Sequence, residues 1–296
     1  MKKILLTGGS GFVGRNIIEY FDKNFKNDYA IDAPRSSELN VLSKESVDKW
    51  FDEHGFYDVV LHFAVYTDAI DKAKDGSKML EYNLKSFMNF YEHRKDYERM
   101  IYSGSGAEFD KRRDIVNVSE EQLGEEIPLD AYGLMKYSIA QIIENSENIY
   151  NARIFGLFGQ YEYSFRFITA MINNSIAGVK FDIRQNVYFD YLYIDEFVTM
   201  LKCLIDAKNL SHHSYNMVSG KKISLIEICE LINEVAVSFG KEAMKITVLN
   251  DGLNKEYTAS RERFEAEFSE NEDWVRIEIR EAIYKLYEIL SKLDNK

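Results

Sequence analysis

Tyr132 and Lys136 place a phenol and an ammonium four residues apart near the start of a predicted helix. That spacing puts both side chains on one face of the helix, about one turn apart. A neighbouring cation lowers the pKa of a phenol toward the range in which it works as a general acid or base. The pair therefore indicates proton transfer. With 20 tyrosines in the chain, a chance pair on a solvated helix face is the competing interpretation.

Ser103 and Ser105 lie upstream of this pair, where a predicted strand ends in the small-residue run Ser-Gly-Ser-Gly. Ligands of parallel α/β sheets bind outside the carboxyl ends of the strands, so both hydroxyls are placed to meet one. Serine and glycine are also common turn residues, and an ordinary turn is the alternative.

Three glycines near the amino terminus, Gly9, Gly11 and Gly14, form the pattern G-x-G-x-x-G between an apolar run at residues 4–6 and an apolar helix face. This strand-to-helix context is the one that the dinucleotide fingerprint requires. The glycines permit a tight turn and close approach of a pyrophosphate, and the helix N-terminus offers N–H groups and the positive end of its dipole. The residues assigned to the dinucleotide here are Gly8, Gly11, Phe12, Val13 and Gly14.

Strand-like and helix-like segments alternate through the first half of the chain. This alternation predicts parallel strands with right-handed crossovers, hence an α/β fold with a doubly wound (Rossmann) sheet. The predicted strands cover residues 4–7, 28–32, 58–63, 99–103 and 152–155, and the predicted helices cover residues 12–24, 44–54, 77–94 and 132–145. The polar segment 108–130 is predicted to be a long loop that shapes a site at the sheet edge.

The second half of the chain has a looser pattern. Helices are predicted at residues 165–177, 195–207, 225–239 and 275–293, with short strands near 214–218 and 245–249. We therefore expect a dinucleotide-binding domain at 1–160 and a smaller C-terminal α/β substrate-binding lobe at 161–296, interleaved across a soft boundary.

Composition limits the classes of partner. The chain has 296 residues and a net charge of −12, which argues against nucleic acid or an anionic membrane as a partner. Cys203 and Cys229 lie in apolar helical patterns and are expected to be reduced core thiols. No metal site is expected, because His212 and His213 lack evident carboxylate or thiol partners. Without a signal peptide or a long apolar run, a cytoplasmic location is expected.

Together these motifs resemble the extended short-chain dehydrogenase/reductase family of nucleotide-sugar epimerases, dehydratases and reductases, over residues 1–265. The matching positions are Thr7-Gly8-x-x-Gly11-x-x-Gly14, His62-Phe63-Ala64, Asn83, Ser105, Tyr132 and Lys136. The resemblance implies that Tyr132 exchanges a proton with a sugar oxygen, while Ser105 hydrogen-bonds that oxygen. It also implies that Lys136 holds the nicotinamide ribose, that Phe63 and Ala64 lie beside the adenosine half of the cofactor, and that hydride passes between nicotinamide C4 and the sugar carbon.

The end of the second predicted strand bears on the choice of cofactor. Asp32 lies where an acid accepts a hydrogen bond from the ribose 2′-OH of NAD. The following Arg35 and Ser36 resemble reductases in which such residues bind the 2′-phosphate of NADP. A guanidinium fits phosphate bidentately, whereas a nearby carboxylate repels it. The sequence slightly favours NADP and leaves NAD open.

Departures from the family pattern reduce the number of reactions that the sequence supports. Gly106 and Ala107 stand where the 4,6-dehydratases carry an Asp-Glu pair, and Glu108 falls one position late. The fucose-synthase branch has a cysteine at the position of Ala107, so ring epimerisation beside a ketone is also disfavoured. Positions that normally touch the sugar nucleotide also depart, which leaves its identity open: Gly156, Gln160 and Phe189.

The preferred function is reduction of a 4-keto nucleotide-diphospho-sugar by NADPH or NADH, in polysaccharide precursor synthesis. The substrate residues would be Ser105 and Gly106, with Arg166 and Arg184 as pyrophosphate contacts. One alternative is a 4-epimerase that retains NAD. An alternative of another class is a dinucleotide-binding sensor or scaffold without catalysis, since fold does not fix function.

A homodimer is also expected. The predicted helices 77–94 and 132–145 resemble those that pair into a four-helix interface in this family. The apolar stripe would consist of Phe87, Phe90, Tyr91, Ile139 and Ile142. The alternative is burial of these side chains within one chain.

Overall fold

The structure is a computed structural model that describes residues 1–67, 77–271 and 274–294. Its strands are β1 (Lys2–Thr7), β2 (Tyr29–Asp32), β3 (Tyr57–His62), β4 (Tyr97–Ser105), β5 (Ile115–Val118), β6 (Ile149–Ile154), β7 (Gly156–Phe158), β8 (Phe181–Asn186), β9 (Tyr188–Tyr193), β10 (Ser214–Met217), β11 (Lys222–Ser224), β12 (Ile246–Leu253) and β13 (Tyr257–Ala259). Its helices are α1 (Phe12–Asn24), α2 (Lys44–His54), α3 (Ser77–Glu92), α4 (Ala131–Ile143), α5 (Phe167–Ile176), α6 (Ile194–Asp206), α7 (Leu225–Ser238), α8 (Glu262–Phe268) and α9 (Ile279–Asp294).

The described residues form two compact units that alternate along the chain. The first consists of Met1–Asp110, Glu120–Ile154 and Leu201–Asn216. It contains a six-stranded sheet in the order β10-β6-β4-β3-β1-β2. β1 pairs in parallel with both β2 and β3, and β3 to β4 and β4 to β6 are also parallel. The doubly wound parallel sheet predicted from the alternating pattern is confirmed.

The side of the sheet on which the chain adds its next strand changes at β1. From β1 the chain moves to β2 on one side and to β3 and β4 on the other. In open α/β sheets such a switch point leaves a crevice outside the carboxyl ends of the strands, where ligands bind. Here the crevice lies after Thr7 and His62, the last residues of β1 and β3.

The core of the first unit is built from both faces of this sheet. Central strand residues such as Leu5, Val60 and Met100 are completely buried. Strands covered on both faces read as continuous apolar runs, and this is why residues 4–6 and 59–61 lack polar residues. The helices that cover the sheet supply aromatic and aliphatic side chains to the same core, among them Phe51, Phe87, Phe90, Met135 and Ile139.

The second unit consists of Lys111–Ser119, Phe155–Met200 and Met217–Lys296. Its larger sheet has the order β11-β9-β13-β5, with β7 paired to β9, and β8 and β12 form a separate parallel pair. α7 begins with a capping box, in which Ser224 Oγ accepts the N–H of Glu227 and the Glu227 carboxylate accepts the N–H of Ser224. The two predicted core thiols are confirmed: Cys203 of the first unit and Cys229 of the second are both buried, and neither forms a disulfide among the described residues.

Segment 108–130 is not a continuous loop, and that prediction was wrong in part. It begins at the last residue of the 3-10 turn Gly106–Glu108 and contains strand β5 and a second 3-10 turn at Glu120–Gln122. β5 pairs in parallel with β13, with Ile115 opposite Tyr257. A four-residue strand whose partner lies more than a hundred residues away leaves little periodic signal in the sequence. The strands β8, β9, β11 and β13 were also missed; β11 and β13 have only three residues each, too few for a periodic signal.

The apolar stripe expected at a dimer interface is also not available as proposed. Phe87, Phe90 and Ile139 are completely buried in the core of the first unit. Only Tyr91 and Ile142 of that set remain half-buried. The helix periodicity was correct, but the most apolar face of each helix turns toward the sheet of its own chain.

Among the described residues, no helix is long and apolar enough to span a membrane. In the same residues, no group of three or more histidine, cysteine, aspartate or glutamate side chains has the arrangement of a metal site.

Candidate active site

The glycine loop after β1 is packed so tightly that positions 8 and 14 have no room for a side chain. Gly8 has φ of +77°, and a Cβ there would lie 2.7 Å from the carbonyl oxygen of Phe63 and 2.8 Å from the nitrogen of Ala64. A Cβ on Gly14 would lie 2.3 Å from the carbonyl oxygen of Gly8. The loop after β1, the first turn of α1 and the loop after β3 therefore meet backbone to backbone. A diphosphate can approach such a surface closely.

The N-terminus of α1 faces this loop with its backbone donors uncapped. Gly11 is the N-cap residue. Among the described residues, no side chain caps the helix, and its first turn contains no acidic residue. Phe12 and Val13, the first residues of the helix, are half-buried. Free N–H groups and the positive end of the helix dipole favour an anion here.

His62 holds the loop through a chain of hydrogen bonds. Thr7 Oγ1 accepts the N–H groups of Phe63 and Ala64, each at 3.1 Å, and lies 3.0 Å from His62 Nδ1. Because both acceptor positions of the hydroxyl are taken, Thr7 donates to Nδ1. His62 Nε2 then carries the proton and donates to Ser86 Oγ at 3.1 Å. Burial, with a smaller contribution from the Lys136 charge, lowers the pKa of His62 to about 3, so the ring stays neutral and positions the loop.

Asp32 is held at the end of β2 by a residue that sequence reasoning missed. Tyr57 Oη donates to Asp32 Oδ2 at 2.8 Å and accepts a hydrogen bond from Trp50 Nε1 at 3.1 Å. Burial and the nearby carboxylate raise the pKa of Tyr57. One carboxylate oxygen of the half-buried Asp32 is thus occupied. No local pattern distinguishes Tyr57 from a core aromatic residue.

Arg35 and Ser36 are both exposed in the segment after β2. The backbone N–H of Arg35 donates to Glu38 Oε2 at 2.8 Å, which fixes a turn and leaves the guanidinium on the surface. The two features weighed for cofactor choice therefore occur side by side: a tethered carboxylate and an exposed arginine.

Lys136 of the predicted catalytic pair is a deeply buried cation. α4 begins after Asp130, whose carboxylate accepts the N–H of Gly133 at 2.8 Å. One turn later, Lys136 is 1% exposed, and its Nζ donates to the carbonyl oxygen of Ser103 at 2.5 Å and to Tyr102 Oη at 3.1 Å. An ammonium has three donors, so one remains for a ligand.

Tyr132 lies on the same helix face, with its ring centre 5.9 Å from Lys136 Nζ. Burial lowers the pKa of Lys136 to about 7, although the Glu108 carboxylate acts in the opposite direction. Burial raises the pKa of Tyr102 well above its ordinary value, so its hydroxyl stays protonated. The face therefore carries a half-buried phenol beside an amine that titrates near neutral pH.

Ser105 ends β4 and begins the 3-10 turn at Gly106–Glu108, where its Oγ accepts the N–H of Ala107 at 3.2 Å. The turn packs directly on the first turn of α4, because a Cβ on Gly133 would lie 2.7 Å from the carbonyl oxygen of Ala107. The structure thus brings the predicted set of Ser105, Tyr132 and Lys136 to one end of the sheet. Gly106 is buried within the turn.

Glu108 is not available for proton transfer. Its side chain is completely buried, and its carboxylate pairs with Arg153 Nε at 2.6 Å. The sequence analysis singled out Glu108 but did not predict its pairing with Arg153. A signal existed in the sequence, since an arginine in a buried central strand requires a partner.

The predicted pyrophosphate contacts belong to the second unit. Arg166 directly precedes α5, is half-exposed, and pairs with Glu162 through an Nε to Oε1 distance of 3.2 Å. Arg184 lies on β8 with its side chain exposed.

The residues of the first unit fit a dinucleotide. The backbone cradle after β1 and the uncapped start of α1 suit a pyrophosphate. Nearby on β4, Ser103 Oγ is buried and has no hydrogen-bond partner among the described residues. Together with the third donor of Lys136, it provides a polar group that a ribose or a carboxamide can satisfy.

Comparison with known proteins points to the same class of protein. The sequence model of the NAD dependent epimerase/dehydratase family matches residues 4–217, and the chain belongs to that family. It is 24% identical over 275 residues to dTDP-D-glucose 4,6-dehydratase of Dictyostelium discoideum, a match covering 80% of this chain and 63% of that protein, which is less than two thirds of its length. It is also 24% identical over 285 residues to ADP-L-glycero-D-manno-heptose-6-epimerase of Brachyspira hyodysenteriae, covering 86% and 88% of the two chains.

Solved structures share the fold at lower identity. GDP-mannoheptose C4 reductase from Campylobacter jejuni, with NADP bound, superposes with a TM-score of 0.77 at 17% identity, covering 97% of each chain. dTDP-glucose 4,6-dehydratase from Bacillus anthracis, in complex with NAD, gives 0.79 at 16% identity, covering 100% of this chain and 98% of that one. The fold extends over the whole of these neighbours.

The buried amine makes the stability of the free protein depend on pH. In the unfolded chain a lysine has a pKa of about 10.4, so between pH 7 and 10 the unfolded state binds more protons than the folded state. The free energy of unfolding should therefore rise with pH across this window and level off near the unfolded pKa. Replacing Lys136 by Met should flatten this rise, as measured by urea denaturation at pH 7, 8 and 9. The exposed substitution Lys23→Met is the control, and equal slopes for Lys136→Met and the unmodified protein would contradict the buried charge.

Proposed function

We propose that this protein is an NAD(P)-dependent oxidoreductase that acts on a nucleotide-diphospho-sugar and reduces its 4-keto group to an alcohol. The observation that carries the proposal is the clamp of Lys136 on the Ser103 carbonyl. It fixes the Tyr132 face of α4 against the end of β4, where Ser105 begins its turn. This end of the sheet also carries the glycine cradle.

Each residue has a role that follows from its position. When bound, the dinucleotide would supply the hydride that reduces the sugar carbon. Tyr132 gives its phenolic proton to the carbonyl oxygen as that oxygen gains charge. Ser105 donates a hydrogen bond to the same oxygen. Lys136 binds the ribose with its remaining donor, and its positive charge stabilises the phenolate that Tyr132 leaves behind. The overall change is ketone plus NAD(P)H plus one proton to alcohol plus NAD(P)⁺.

The turn after β4 supports reduction over elimination. A dehydratase needs an acid and a base beside the sugar ring, and here Gly106 and Ala107 offer neither. Glu108, the nearest carboxylate in sequence, is consumed by its ion pair with Arg153. Reduction needs only one proton donor, and Tyr132 supplies it.

Two alternatives use the same residues differently. A 4-epimerase would oxidise and re-reduce one carbon with a retained NAD, and UDP-glucose 4-epimerase of Pisum sativum is 22% identical in a match covering 90% of each chain. A sensor or scaffold would bind the dinucleotide without turnover. Consumption of one NAD(P)H per ketosugar supports the reductase, whereas turnover of a UDP-hexose without added cofactor supports the epimerase.

Tyr132→Phe removes the proton donor and little else. We expect kcat to fall by about 10²–10⁴-fold, because proton transfer is the lost contribution, while dinucleotide binding is nearly unchanged. Stopped-flow reduction of a 4-keto nucleotide sugar and titration of NADPH fluorescence measure the two quantities. Tyr137→Phe, five residues further along α4, is the matched control. Turnover at the unmodified rate in Tyr132→Phe would reject the mechanism.

The exposed arginine after β2 supports NADP as the slightly favoured cofactor, with NAD as the alternative. If Arg35 binds the 2′-phosphate, Arg35→Ala should raise the KM for NADPH by about tenfold or more, equivalent to about 1.4 kcal/mol, and leave the KM for NADH unchanged. Steady-state kinetics with both cofactors decide this. If Arg35→Ala changes the KM for NADPH and for NADH equally, or if the unmodified enzyme already prefers NADH, the result would instead favour a hydrogen bond from the ribose 2′-OH to Asp32.

For the substrate, Arg166 and Arg184 remain the proposed pyrophosphate contacts. For assembly, we propose a homodimer through α3 and α4, now with a revised apolar stripe. Half-buried side chains recur at every third or fourth position on α3, at Leu80, Leu84, Met88 and Tyr91. Sedimentation velocity at micromolar concentration should show a dimer, and Leu84→Glu should dissociate it. A monomer for the unmodified chain would exclude this arrangement.

A further inference from the structure

A buried ion pair lies directly beneath the Ser105 turn. The side chains of Glu108 and Arg153 are both 0% exposed, and Arg153 Nε lies 2.6 Å from Glu108 Oε2. Arg153 also donates through one terminal nitrogen to Asn216 Oδ1 at 3.1 Å, and its guanidinium lies 5.1 Å from the centre of the Phe109 ring. The guanidinium is thus fixed from three sides.

The Glu108 carboxylate ties the end of β4 to β6. Its Oε1 accepts the backbone N–H of Ser105 at 2.9 Å. Asn151 Nδ2 donates to both carboxylate oxygens, at 3.2 and 3.0 Å. Three donors from two neighbouring strands therefore converge on one carboxylate, and one of them is the backbone of the proposed catalytic serine.

Gly104 makes this approach possible. It pairs with Arg153 in the register of β4 and β6. A Cβ at position 104 would lie 1.8 Å from Asn151 Oδ1 and 2.6 Å from Glu108 Oε1. Any side chain there would have to displace both the Asn151 amide and the Glu108 carboxylate.

Stability alone does not account for such a pair. The cost of removing two charges from water is of the same size as their attraction, and apolar replacements are often as stable. An apolar pair would fill the space but would leave the N–H of Ser105 without an acceptor. What the ion pair adds is a fixed position for that backbone, in the same turn whose Ala107 carbonyl contacts Gly133 of α4.

We propose that Glu108 and Arg153 are positioning residues, which hold the Ser105 hydroxyl in register with the Tyr132 phenol so that both reach the same substrate oxygen. This inference rests on the proposed function of Ser105 and Tyr132. Neither charged residue touches the substrate; both act through the backbone of Ser105.

Glu108→Gln is the principal test. The arginine attracts the one remaining oxygen of the amide, which turns the amide nitrogen toward the N–H of Ser105 and breaks that bond. Glu108→Asp is the second variant, since it keeps both charges paired but shortens the reach by one methylene. Glu196→Gln is the matched control, because Glu196 forms a comparable buried pair with Arg261 at 2.9 Å in the second unit.

The kinetic measurement is a double-mutant cycle with Ser105→Ala. A displaced catalytic group can cost about 10²-fold, so we expect Glu108→Gln to lower kcat by about that factor with KM little changed. In the Ser105→Ala background the same substitution should change kcat by no more than about twofold, the tolerance of additive sites. Glu196→Gln should lower the melting temperature and leave kcat unchanged. Equal losses of kcat in both backgrounds would overturn the proposal.

Hydrogen exchange provides a readout that does not need activity. With NADPH added, the peptide covering residues 103–110 should exchange faster in Glu108→Gln and Glu108→Asp, while peptides from β1 and α1 stay unchanged. If the unmodified protein reduces no nucleotide sugar, the proposed function is wrong, and the exchange data alone decide whether the pair holds the turn. Unchanged exchange at residues 103–110 in both variants would overturn the positioning role.

Discussion

The site depends on a single buried contact, the hydrogen bond from the Lys136 ammonium to the carbonyl oxygen of Ser103. It joins the first turns of α4 to the carboxyl end of β4, and it places a cation where water is excluded. Burying an ammonium is unfavourable unless it is hydrogen-bonded, and here a carbonyl and the Tyr102 hydroxyl provide that compensation. The remaining cost lowers the pKa of the amine toward neutrality. Tyr132 is then held one turn from an amine whose pKa lies near neutrality.

Glycines allow the backbones around this contact to meet. Gly8 and Gly14 bring the loops after β1 and β3 against the start of α1, and Gly133 lets α4 rest on the turn after β4. In each case an added Cβ would collide with backbone, which cannot move without dismantling the site. The same close packing explains why a neutral histidine, His62, is used at the end of β3: it bridges Thr7 and Ser86 without introducing a charge.

The sequence predicted those parts of the site that are encoded locally. The glycine loop, the helix that follows it and the spacing of Tyr132 and Lys136 each lie within one short segment, and their positions agree with the structure. The partners that complete the site come from elsewhere in the chain. Tyr57 of β3 contacts Asp32 of β2, and Arg153 of β6 contacts Glu108. Such contacts depend on strand order and register, which a single sequence specifies only through the complete fold. The same holds for Phe87, Phe90 and Ile139. Their periodicity identified the apolar face of each helix, but it did not show that this face packs on the chain's own sheet and not on a second copy.

A crystal structure with NADPH bound would show the contacts of Lys136 directly. We expect Lys136 Nζ to keep its bond to the Ser103 carbonyl and to give its third donor to the nicotinamide ribose, with the Tyr132 hydroxyl open toward the nicotinamide ring. A dinucleotide bound away from Lys136, or a phenol turned from the ring, would contradict this expectation.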